Sequence, residues 1–534
     1  MNAASLRRWS PAIVAAVAIL GYLNAIANGY VLDDRGIVVL NPLVTHPDGM
    51  WRAFANPYWP AGLGGQYRPL TIATFALDWW ISNGDAHWLH AVNVLWHAAA
   101  SVLVWMLALE LVAPVGALAA ALLFALTPLH VEAVANVVGR AECMAAAFVL
   151  AALIAHRRTA WFAPAAFALA LLSKENGIVF LGLAVANDLL IAGPPREAIR
   201  ARRALYASYV VVVLAYVAVL ATVFRNTPLS APAHTFDGAS AAERLLTVAA
   251  TIPEYVRLLL LPFALSADYQ PGVLELAYGV TAMVVLGVLL AVLLGLVIFR
   301  AWRRAPVLAF ALLWVPIAIA PVSNVFFVTG VLLAERTLYL PSVGAMLALG
   351  WVMQRGVVRW RDASWATLAV VLVAFGVRTW TRTPVWHDAK SFAITLVTEH
   401  PEAYRGHWVV GRVYATMGRF PDAEREFAIA RQIFPGDPVV WRESAELRIV
   451  AKDWTGAEAM LDRALTIRPS DVSDRMRLAE VRMEAGDAHG AIDEAREVLR
   501  LAPDSVRAAL IIGTAARTIG DTALADSIAR GVRP

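Results

Sequence analysis

Cysteine and charge are both scarce in this chain of 534 residues. It has one cysteine, Cys143, which excludes an internal disulfide and argues against a metal site built from thiolates. Charged residues make up 16% of the chain and hydrophobic residues 59%, whereas about a quarter of a typical soluble domain is charged. The net charge of +4 is small, and the basic residues gather in short loops, so nothing indicates nucleic-acid binding. We therefore predict a membrane protein.

Long apolar runs fill the first 385 residues. Runs of roughly 17–25 residues are long enough to cross a bilayer as helices, and backbone in lipid must form its hydrogen bonds within its own segment. The run after Pro11 is too long for a cleavable signal peptide and is expected to be retained. We predict about eleven spans. They cover residues 10–27, 89–112, 115–126, 143–155, 161–172, 177–191, 204–223, 274–299, 306–321, 337–353 and 364–379.

The arginines predict the topology of these spans. Basic residues accumulate in cytoplasmic loops, so Arg7 and Arg8 place the N-terminus in the cytoplasm. The other arginine-rich runs, at 157–158, 196–203, 300–304 and 355–361, then fall on the same side. Clusters of mixed charge fall outside, where they are expected to share one cavity. Two external segments, 30–87 and 225–270, are expected to hold helices lying in the membrane interface, one of them at 243–261.

The composition changes near Trp386 to charged and alanine-rich. From here certain residues recur every 34 positions, the period of the tetratricopeptide repeat. The recurring residues are Pro401, Pro435, Pro469 and Pro503, then Ala423, Ala457, Ala491 and Ala525, then Gly486 and Gly520. Three full repeats and a truncated fourth should stack into an arc with a concave binding face. The predicted fold is all-α: a membrane helical bundle (1–385) followed by an extracytoplasmic α-solenoid (386–534).

Two adjacent carboxylates, Asp33 and Asp34, follow the first span. Carboxylates at the membrane edge are costly unless they pair with a cation or do chemistry. Because neighbouring residues do not share a helix face, one can point into a cavity while the other holds the loop. A polar loop or an ion pair with Arg35 is the alternative. For transfer from a phosphate-linked donor the leaving group is already an anion, so one general base is enough.

Four cations are predicted on the same side, and they could stabilise a departing phosphate. They are Arg68, Arg140, Lys174 and Arg336. Local ion pairs, Lys174 with Glu175 and Arg140 with Glu142, are the alternative.

Histidines raise the question of a metal. His90 and His97 share a helix face but lie about 10 Å apart, so these two alone cannot chelate one ion. His130 with Glu132 invites the same interpretation. For all of them packing or hydrogen bonds to substrate are favoured over a metal site.

Six stretches, in this order, resemble the transmembrane and tetratricopeptide O-mannosyltransferases and their bacterial relatives. They are LDDRGIVVLNP (32–42), QYRPLTIATFALDW (66–79), HAVNVLWH (90–97), LLFALTPLHVEAVANVVGRAE (122–142), LLSKENGI (171–178) and PVSNVFFVTGVLLAERTLYLPSVG (321–344). The resemblance covers nearly the whole chain. It implies a GT-C glycosyltransferase that uses a polyprenyl-phosphate sugar, with Asp33 and Asp34 as the catalytic acidic pair. Glu142 departs from the aspartate expected there, and the repeat array is shorter than in animal members.

The resemblance also assigns four cations, Arg68, Arg140, Lys174 and Arg336, to the donor phosphate. We expect Asp34 rather than Asp33 to be the base. Supporting roles are expected for His90, His97, His130, Glu132, Glu142, Glu175 and Glu335.

The expected activity is transfer of a sugar, such as mannose, from the lipid-linked donor to a hydroxyl of an extracytoplasmic protein or glycan. The repeats would bind the acceptor or a partner protein. No dinucleotide or metal cofactor is expected, with a divalent metal as an open alternative. The expected location is a bacterial inner membrane, with the N-terminus cytoplasmic and the repeats periplasmic. A non-enzymatic membrane scaffold and a transporter are the rival hypotheses.

Overall fold

The computed structural model describes residues 3–60, 65–225, 236 and 239–531. All regular elements within these ranges are helices, as the predicted fold class requires. The described residues form two compact units. The first consists of the residues up to 225, 239–269 and 274–395, and the second of residues 236, 270–273 and 396–531.

The first unit is built from long helices with shorter helices between them. They are α1 (Ala3–Gly21), α2 (Pro42–Thr45), α3 (Gly49–Arg52), α4 (Pro69–Ser82), α5 (Ala86–Leu109), α6 (Pro114–Leu126), α7 (Val131–Ala135), α8 (Arg140–Arg157), α9 (Ala163–Ser173), α10 (Val179–Leu190), α11 (Pro195–Ala201), α12 (Arg203–Val223), α13 (Ala241–Leu260), α14 (Ala282–Arg304), α15 (Pro306–Ile319), α16 (Tyr339–Arg359) and α17 (Arg361–Arg382). Helix α18 (Ala389–Glu399) follows them.

Each of the eleven predicted spans overlaps one of these helices, but their number as membrane crossings stays a prediction. Within the described residues, five helices are long and apolar enough to cross a membrane, or six if the bent pair Pro114–Leu126 and Pro128–Ala135 counts as one span. Helices such as α9, with 11 residues, and α15, with 14, fall short of the roughly 20 residues that a full crossing needs.

The bundle places α8 in its interior and α12 and α14 at its periphery. The apolar window of the span containing α8 is 89% buried within the protein, against 11% for α12 and for α14. In the interior, small residues let helices approach closely. Where α6 meets α16, a Cβ on Gly116 would lie 2.6 Å from the carbonyl oxygen of Gly350, so only glycine fits there.

The two predicted external segments differ in what they hold. The first contains α2, α3 and α4. In the second, α13 begins with a capping box formed by Ser240 and Glu243. It packs against α14, where a Cβ on Gly287 would lie 1.8 Å from the Ala249 oxygen. Residues 61–64, 226–235 and 237–238 of these segments lie outside the described residues.

The second unit confirms the repeat prediction with four helix pairs. They are α19 (Tyr404–Thr416) with α20 (Phe420–Ile433), α21 (Pro438–Val450) with α22 (Trp454–Ile467), α23 (Val472–Glu484) with α24 (Ala488–Leu501), and α25 (Val506–Thr518) with α26 (Thr522–Gly531). Ala423, Ala457 and Ala491 are fully buried, and Ala525 nearly so, as expected where helices cross. The last described helix, α26, has 10 described residues, against 14 in α24.

The turn inside each pair repeats as well. Its central residue has a positive φ in all four repeats: 73° at Gly418, 58° at Lys452, 86° at Gly486 and 81° at Gly520. Glycine adopts this left-handed conformation without strain, whereas a side chain there costs about 1 kcal/mol. The second repeat therefore carries a small local strain at Lys452.

Candidate active site

A cavity of about 320 Å³ lies in the first unit, large enough for a small ligand. Its wall brings together charged residues from distant parts of the chain, all of them predicted as site residues from the sequence. They are Asp33, Arg68, Glu142, Lys174, Glu175 and Arg336. The expected transfer of a sugar from a phosphate-linked donor requires that opposite charges converge around one concave space.

Breaks between helices position these side chains. Arg68 directly precedes α4, which begins at Pro69. Lys174 ends α9 in an extended conformation (φ −159°, ψ 142°) before a 3₁₀ helix begins at Glu175. Ala334 is extended in the same way before the 3₁₀ helix that contains Arg336. The cavity is therefore lined by the ends of helices, where polar backbone and charge are tolerated at a membrane edge.

The two adjacent aspartates have different surroundings. Asp34 is fully buried, and its carboxylate accepts hydrogen bonds from the backbone N–H groups of Val31 (3.0 Å) and Val138 (2.9 Å). Asp33 is half-buried and lines the cavity, and its carboxylate receives no hydrogen bond from any described residue. The geometry thus favours Asp33 over Asp34 as a group that can act on a ligand.

Burial raises the pKa of Asp34 to about 7, although its bonds to backbone N–H groups act in the opposite direction. A carboxyl group with both oxygens held by the protein has little freedom to take a proton from a substrate. The preference for Asp34 expressed from the sequence is therefore not supported by the position of its carboxylate, which braces the loop against the segment at Val138.

Each cation of the cavity is paired with a carboxylate from another element. Arg68 binds Glu175 through Nε (2.9 Å) and Nη2 (2.5 Å), and Lys174 binds Glu142. Arg336 donates to Glu132 from both its backbone nitrogen and Nη1, each at 2.8 Å. Lys174 and Glu175 therefore do not form the local pair that the sequence suggested. Lys174 pairs with Glu142, and Glu175 pairs with Arg68. Asp33 is the one carboxylate of the cavity wall without an ion pair among the described residues.

These pairs set the charges of the cavity. Burial would raise the pKa of Glu175, but the Arg68 guanidinium outweighs it and holds the pKa at about 2. Burial lowers the pKa of Lys174 despite the neighbouring Glu142. Burial would also lower the pKa of Arg336, but the carboxylates of Glu132 and Asp33 raise it. The pairing therefore stabilises the charged forms of Glu175 and Arg336.

Arg140, the fourth predicted cation, is not part of the cavity wall. It is fully buried and forms an ion pair with Asp78, not with Glu142. Its Nε donates to the Asn93 side chain (2.7 Å) and Nη2 to the Leu89 carbonyl (2.9 Å), and its guanidinium lies 4.6 Å from the centre of the Phe75 ring. With all its donors directed at the protein, Arg140 ties α4, α5 and α8 together.

The three histidines lie in the helical core. His90 donates to the Gly29 carbonyl (3.1 Å) and His97 to the Ala125 carbonyl (3.0 Å). His130 contacts the hydroxyl of Ser342 at 2.8 Å, and its ring centre lies 5.7 Å from that of His97. None of the three lines the cavity. No group of three or more His, Cys, Asp or Glu side chains that could hold a metal occurs in the part of the chain that the structure describes.

Glu335 lies next to Arg336 in sequence but points away from the cavity. Its Oε1 accepts hydrogen bonds from the Ser266 N–H (2.7 Å) and the Tyr269 hydroxyl (2.8 Å). Burial raises its pKa to about 8, with the Arg382 guanidinium acting in the opposite direction. Glu335 therefore joins the segment after α13 to the start of α16.

Sequence reasoning missed two residues of this region. Asp78 lies within the recognised stretch 66–79, and a lone carboxylate in an apolar helix is itself a signal of a buried partner. Tyr58 also lines the cavity, and the Arg68 guanidinium lies 4.8 Å from the centre of its ring.

Comparison with known proteins confirms the resemblance that the sequence suggested. Residues 79–221 match the family model described as dolichyl-phosphate-mannose-protein mannosyltransferase. Residues 410–472 and 476–530 match the tetratricopeptide repeat. The chain thus joins a region similar to mannosyltransferases to a repeat array.

Named relatives extend this similarity over most of the chain. The chain is 28% identical over 446 residues to protein O-mannosyl-transferase F38B6.6 of Caenorhabditis elegans, covering 79% of this chain and 62% of that protein. It is 25% identical to human protein O-mannosyl-transferase TMTC3, covering 79% of this chain and 55% of that protein. It is 27% identical to human protein O-mannosyl-transferase TMTC4, covering 78% of this chain and 66% of that protein. The chain therefore spans between 55% and 66% of the length of these relatives.

Proposed function

We propose that this chain is a membrane glycosyltransferase that moves a mannosyl group from a polyprenyl-phosphate donor to a hydroxyl group of an extracytoplasmic protein. The similarity to O-mannosyltransferases supports the reaction class. The observation that carries the proposal is the cavity wall, where the open carboxylate of Asp33 faces the same space as Arg68, Lys174 and Arg336.

The proposed reaction is a single displacement. The carboxylate of Asp33 accepts the proton of the acceptor hydroxyl while that oxygen forms a bond to C1 of the sugar. The bond between C1 and the phosphate oxygen breaks, and its electron pair leaves with the polyprenyl phosphate. Attack and departure on opposite faces invert the configuration at C1. No proton donor is needed, because the leaving group departs as an anion.

Cations supply the remaining stabilisation, since the phosphate gains negative charge as the bond breaks. Arg336 is the most accessible of the three, with 30% of its side chain exposed against 11% for Arg68 and 7% for Lys174. We assign Arg336 the direct contact with the phosphate. Lys174, which is paired with Glu142, adds positive electrostatic potential from the cavity wall. Arg68, which is paired with Glu175, does the same.

The repeats are assigned the binding of the acceptor or of a partner protein, because stacked repeats present an extended concave surface. The proposed location is a bacterial inner membrane with the cavity on the periplasmic side. Reporter fusions truncated after Arg203 and after Thr383 should then report the cytoplasm and the periplasm, respectively. Two reports from the same side would contradict this orientation.

The activity is tested with purified protein in lipid nanodiscs, given polyprenyl-phosphate mannose with a radiolabelled sugar and extracytoplasmic proteins as acceptors. The expected result is label in protein together with release of polyprenyl phosphate. Polyprenyl-phosphate glucose in a parallel reaction tests the choice of sugar. Absence of turnover with every donor and acceptor would contradict the proposal and favour the scaffold.

A further inference from the structure

Two side-chain amides in the cavity wall have no partner among the described residues. Asn176 lines the cavity and is only 7% exposed, yet its side chain forms no hydrogen bond with any described residue. Gln66 also lines the cavity and is half-buried, and its side chain likewise lacks a hydrogen-bonding partner in the part of the chain that the structure describes. Because nearly all buried polar groups in proteins are hydrogen-bonded, these amides indicate a polar ligand.

The turn that carries Asn176 is held firmly in place. It is a 3₁₀ helix that follows α9. A Cβ on Gly177 would lie 2.6 Å from the carbonyl carbon of Ala170, so only glycine lets the turn pack against the end of α9. The hydroxyl of Thr71 in α4 donates to the Ser173 carbonyl (2.8 Å) just before the turn. The packing therefore positions Asn176 in advance, as a selective binding site requires.

The two amides flank one ion pair, that of Arg68 with Glu175. Gln66 lies two residues before Arg68, and Asn176 directly follows Glu175. The two hydrogen bonds of the pair, 2.9 and 2.5 Å long, join the two segments, so both amides belong to the same part of the cavity wall. The carbonyl of Gln66 also accepts a hydrogen bond from the backbone N–H of Tyr58 (2.7 Å), which fixes its segment further.

An aromatic side chain completes this part of the wall. Trp59 lines the cavity and is half-buried. A Cβ on Gly36 would lie 3.7 Å from Cζ3 of the Trp59 ring, and Gly36 is three residues after Asp33, so the ring lies close to the turn that carries the proposed base. Amides donate and accept hydrogen bonds, as sugar hydroxyls do. Neutral amides beside an aromatic ring therefore suit an uncharged ligand rich in hydroxyl groups, such as a hexose.

We propose that Asn176 and Gln66 bind hydroxyl groups of the transferred sugar while Trp59 packs against its ring, and that these residues decide which hexose is accepted. This inference rests on the proposed function and adds the sugar specificity of the same site. Arg68 and Lys174 are paired with carboxylates, whereas the amides are neutral and have no partner among the described residues. A site built to bind a hydroxyl rejects an analogue without it, because the polar groups of the site then lose their partner.

The binding test uses the full chain in nanodiscs and compares polyprenyl-phosphate mannose with polyprenyl phosphate that carries no sugar. Asn176→Leu keeps the size of the side chain and removes its hydrogen bonds. Its affinity for the mannose donor should fall at least about five-fold, while its affinity for the sugar-free lipid should stay within about two-fold of that of the unmodified protein. Gln66→Leu is the independent variant and should behave in the same way. Asn56→Leu, outside the cavity wall, is the control and should change neither affinity.

Equal losses for both lipids would overturn the inference, because they would place the effect on the phosphate or on the fold. Unchanged affinity for both lipids in Asn176→Leu and in Gln66→Leu would overturn it as well. This readout does not depend on sugar transfer.

The matching functional test uses mannose donors in which one hydroxyl at a time is replaced by hydrogen. In the unmodified protein, removal of the hydroxyl that Asn176 binds should lower kcat/KM for the donor at least about ten-fold. In Asn176→Leu the same removal should cost less than about two-fold, because the partner is already absent. Equal sensitivity of both proteins to every hydroxyl would overturn the inference. A rise in the KM of the acceptor alone would also overturn it and would assign the amides to the acceptor.

The two tests separate this inference from the proposed function. A protein that transfers sugar, but in which Asn176→Leu affects neither donor binding nor the response to missing hydroxyls, would overturn the inference and leave the proposed function standing. Sugar-dependent binding that is lost in Asn176→Leu, in a protein that transfers no sugar to any acceptor, would support the sugar site and contradict the function.

Discussion

The carboxylate of Asp33 lines the cavity, whereas that of its neighbour Asp34 is turned into the protein and bound by the backbone N–H groups of Val31 and Val138. Leu32, directly before them, has a φ of 48°, so the chain turns sharply at this point. The arrangement separates two roles: one carboxylate holds the turn, and the other is left for a ligand.

Replacing Asp34 should weaken the fold. In Asp34→Asn the amide nitrogen cannot accept the hydrogen bond of one of the two N–H donors, which is then buried without a partner. The expected loss is about 2 kcal/mol of the free energy of unfolding, seen as a lower Tm in detergent. Asp33→Asn should change stability by less than about 0.5 kcal/mol. Equal destabilisation by both variants would contradict the division of roles.

Arg140 should behave as a structural residue. Asp78→Asn removes the partner of a fully buried guanidinium, and breaking a buried ion pair costs about 3–5 kcal/mol. Thermal unfolding of the purified variant measures the loss. The matched control is Arg158→Met, because the Arg158 side chain is 56% exposed and an exposed ion pair contributes at most about 1 kcal/mol. A stable Asp78→Asn variant that is defective only in donor binding would contradict this structural role. It would support the assignment of Arg140 to the donor phosphate.

Arg336 should affect both transfer and stability, and the two effects can be separated. Arg336→Gln leaves the buried Glu132 without its ion pair, so both the Tm and the rate should fall. The double variant Glu132→Gln with Arg336→Gln should recover much of the Tm, because no buried charge is left unpaired. Its transfer rate should stay at least about 100-fold below that of the unmodified protein. Recovery of transfer in the double variant would exclude a direct role at the phosphate.

Glu335 should make stability depend on pH. Its pKa is raised from 4.5 to about 8, so the folded protein holds this proton more tightly than the unfolded chain. Its contribution is complete below about pH 4.5 and is lost as the pH rises through about 8. Glu335→Gln mimics the neutral acid, so its Tm relative to the unmodified protein should rise between pH 6 and pH 9. A Tm difference that is constant over this interval would contradict the assignment.

Hydrophobic patterning was sufficient to place the helices, because burial in lipid and helix length act locally along the chain. The 34-residue period likewise predicted the repeats, which the buried alanines Ala423, Ala457 and Ala491 confirm. The number of membrane crossings could not be predicted as directly from the sequence. Short helices such as α9, with 11 residues, fall below the length that a full crossing needs.

The partners of the charged residues could not be read from sequence separation. Lys174 is extended, and successive side chains of an extended segment point in opposite directions, so Lys174 pairs with Glu142 while Glu175 pairs with Arg68. The difference between Asp33 and Asp34 depends on the N–H group of Val138, more than a hundred residues away along the chain. Such choices are made by packing between distant segments, and no local pattern encodes them.

The most direct test of the account is the single-turnover rate of mannose transfer, at saturating polyprenyl-phosphate mannose, for Asp33→Asn and Asp34→Asn in nanodiscs. We expect Asp33→Asn to be at least about 100-fold slower than the unmodified protein with unchanged donor binding. Folded Asp34→Asn should retain a rate within about ten-fold. A full rate in Asp33→Asn, or loss of transfer confined to Asp34→Asn, would contradict the assignment of Asp33 as the base.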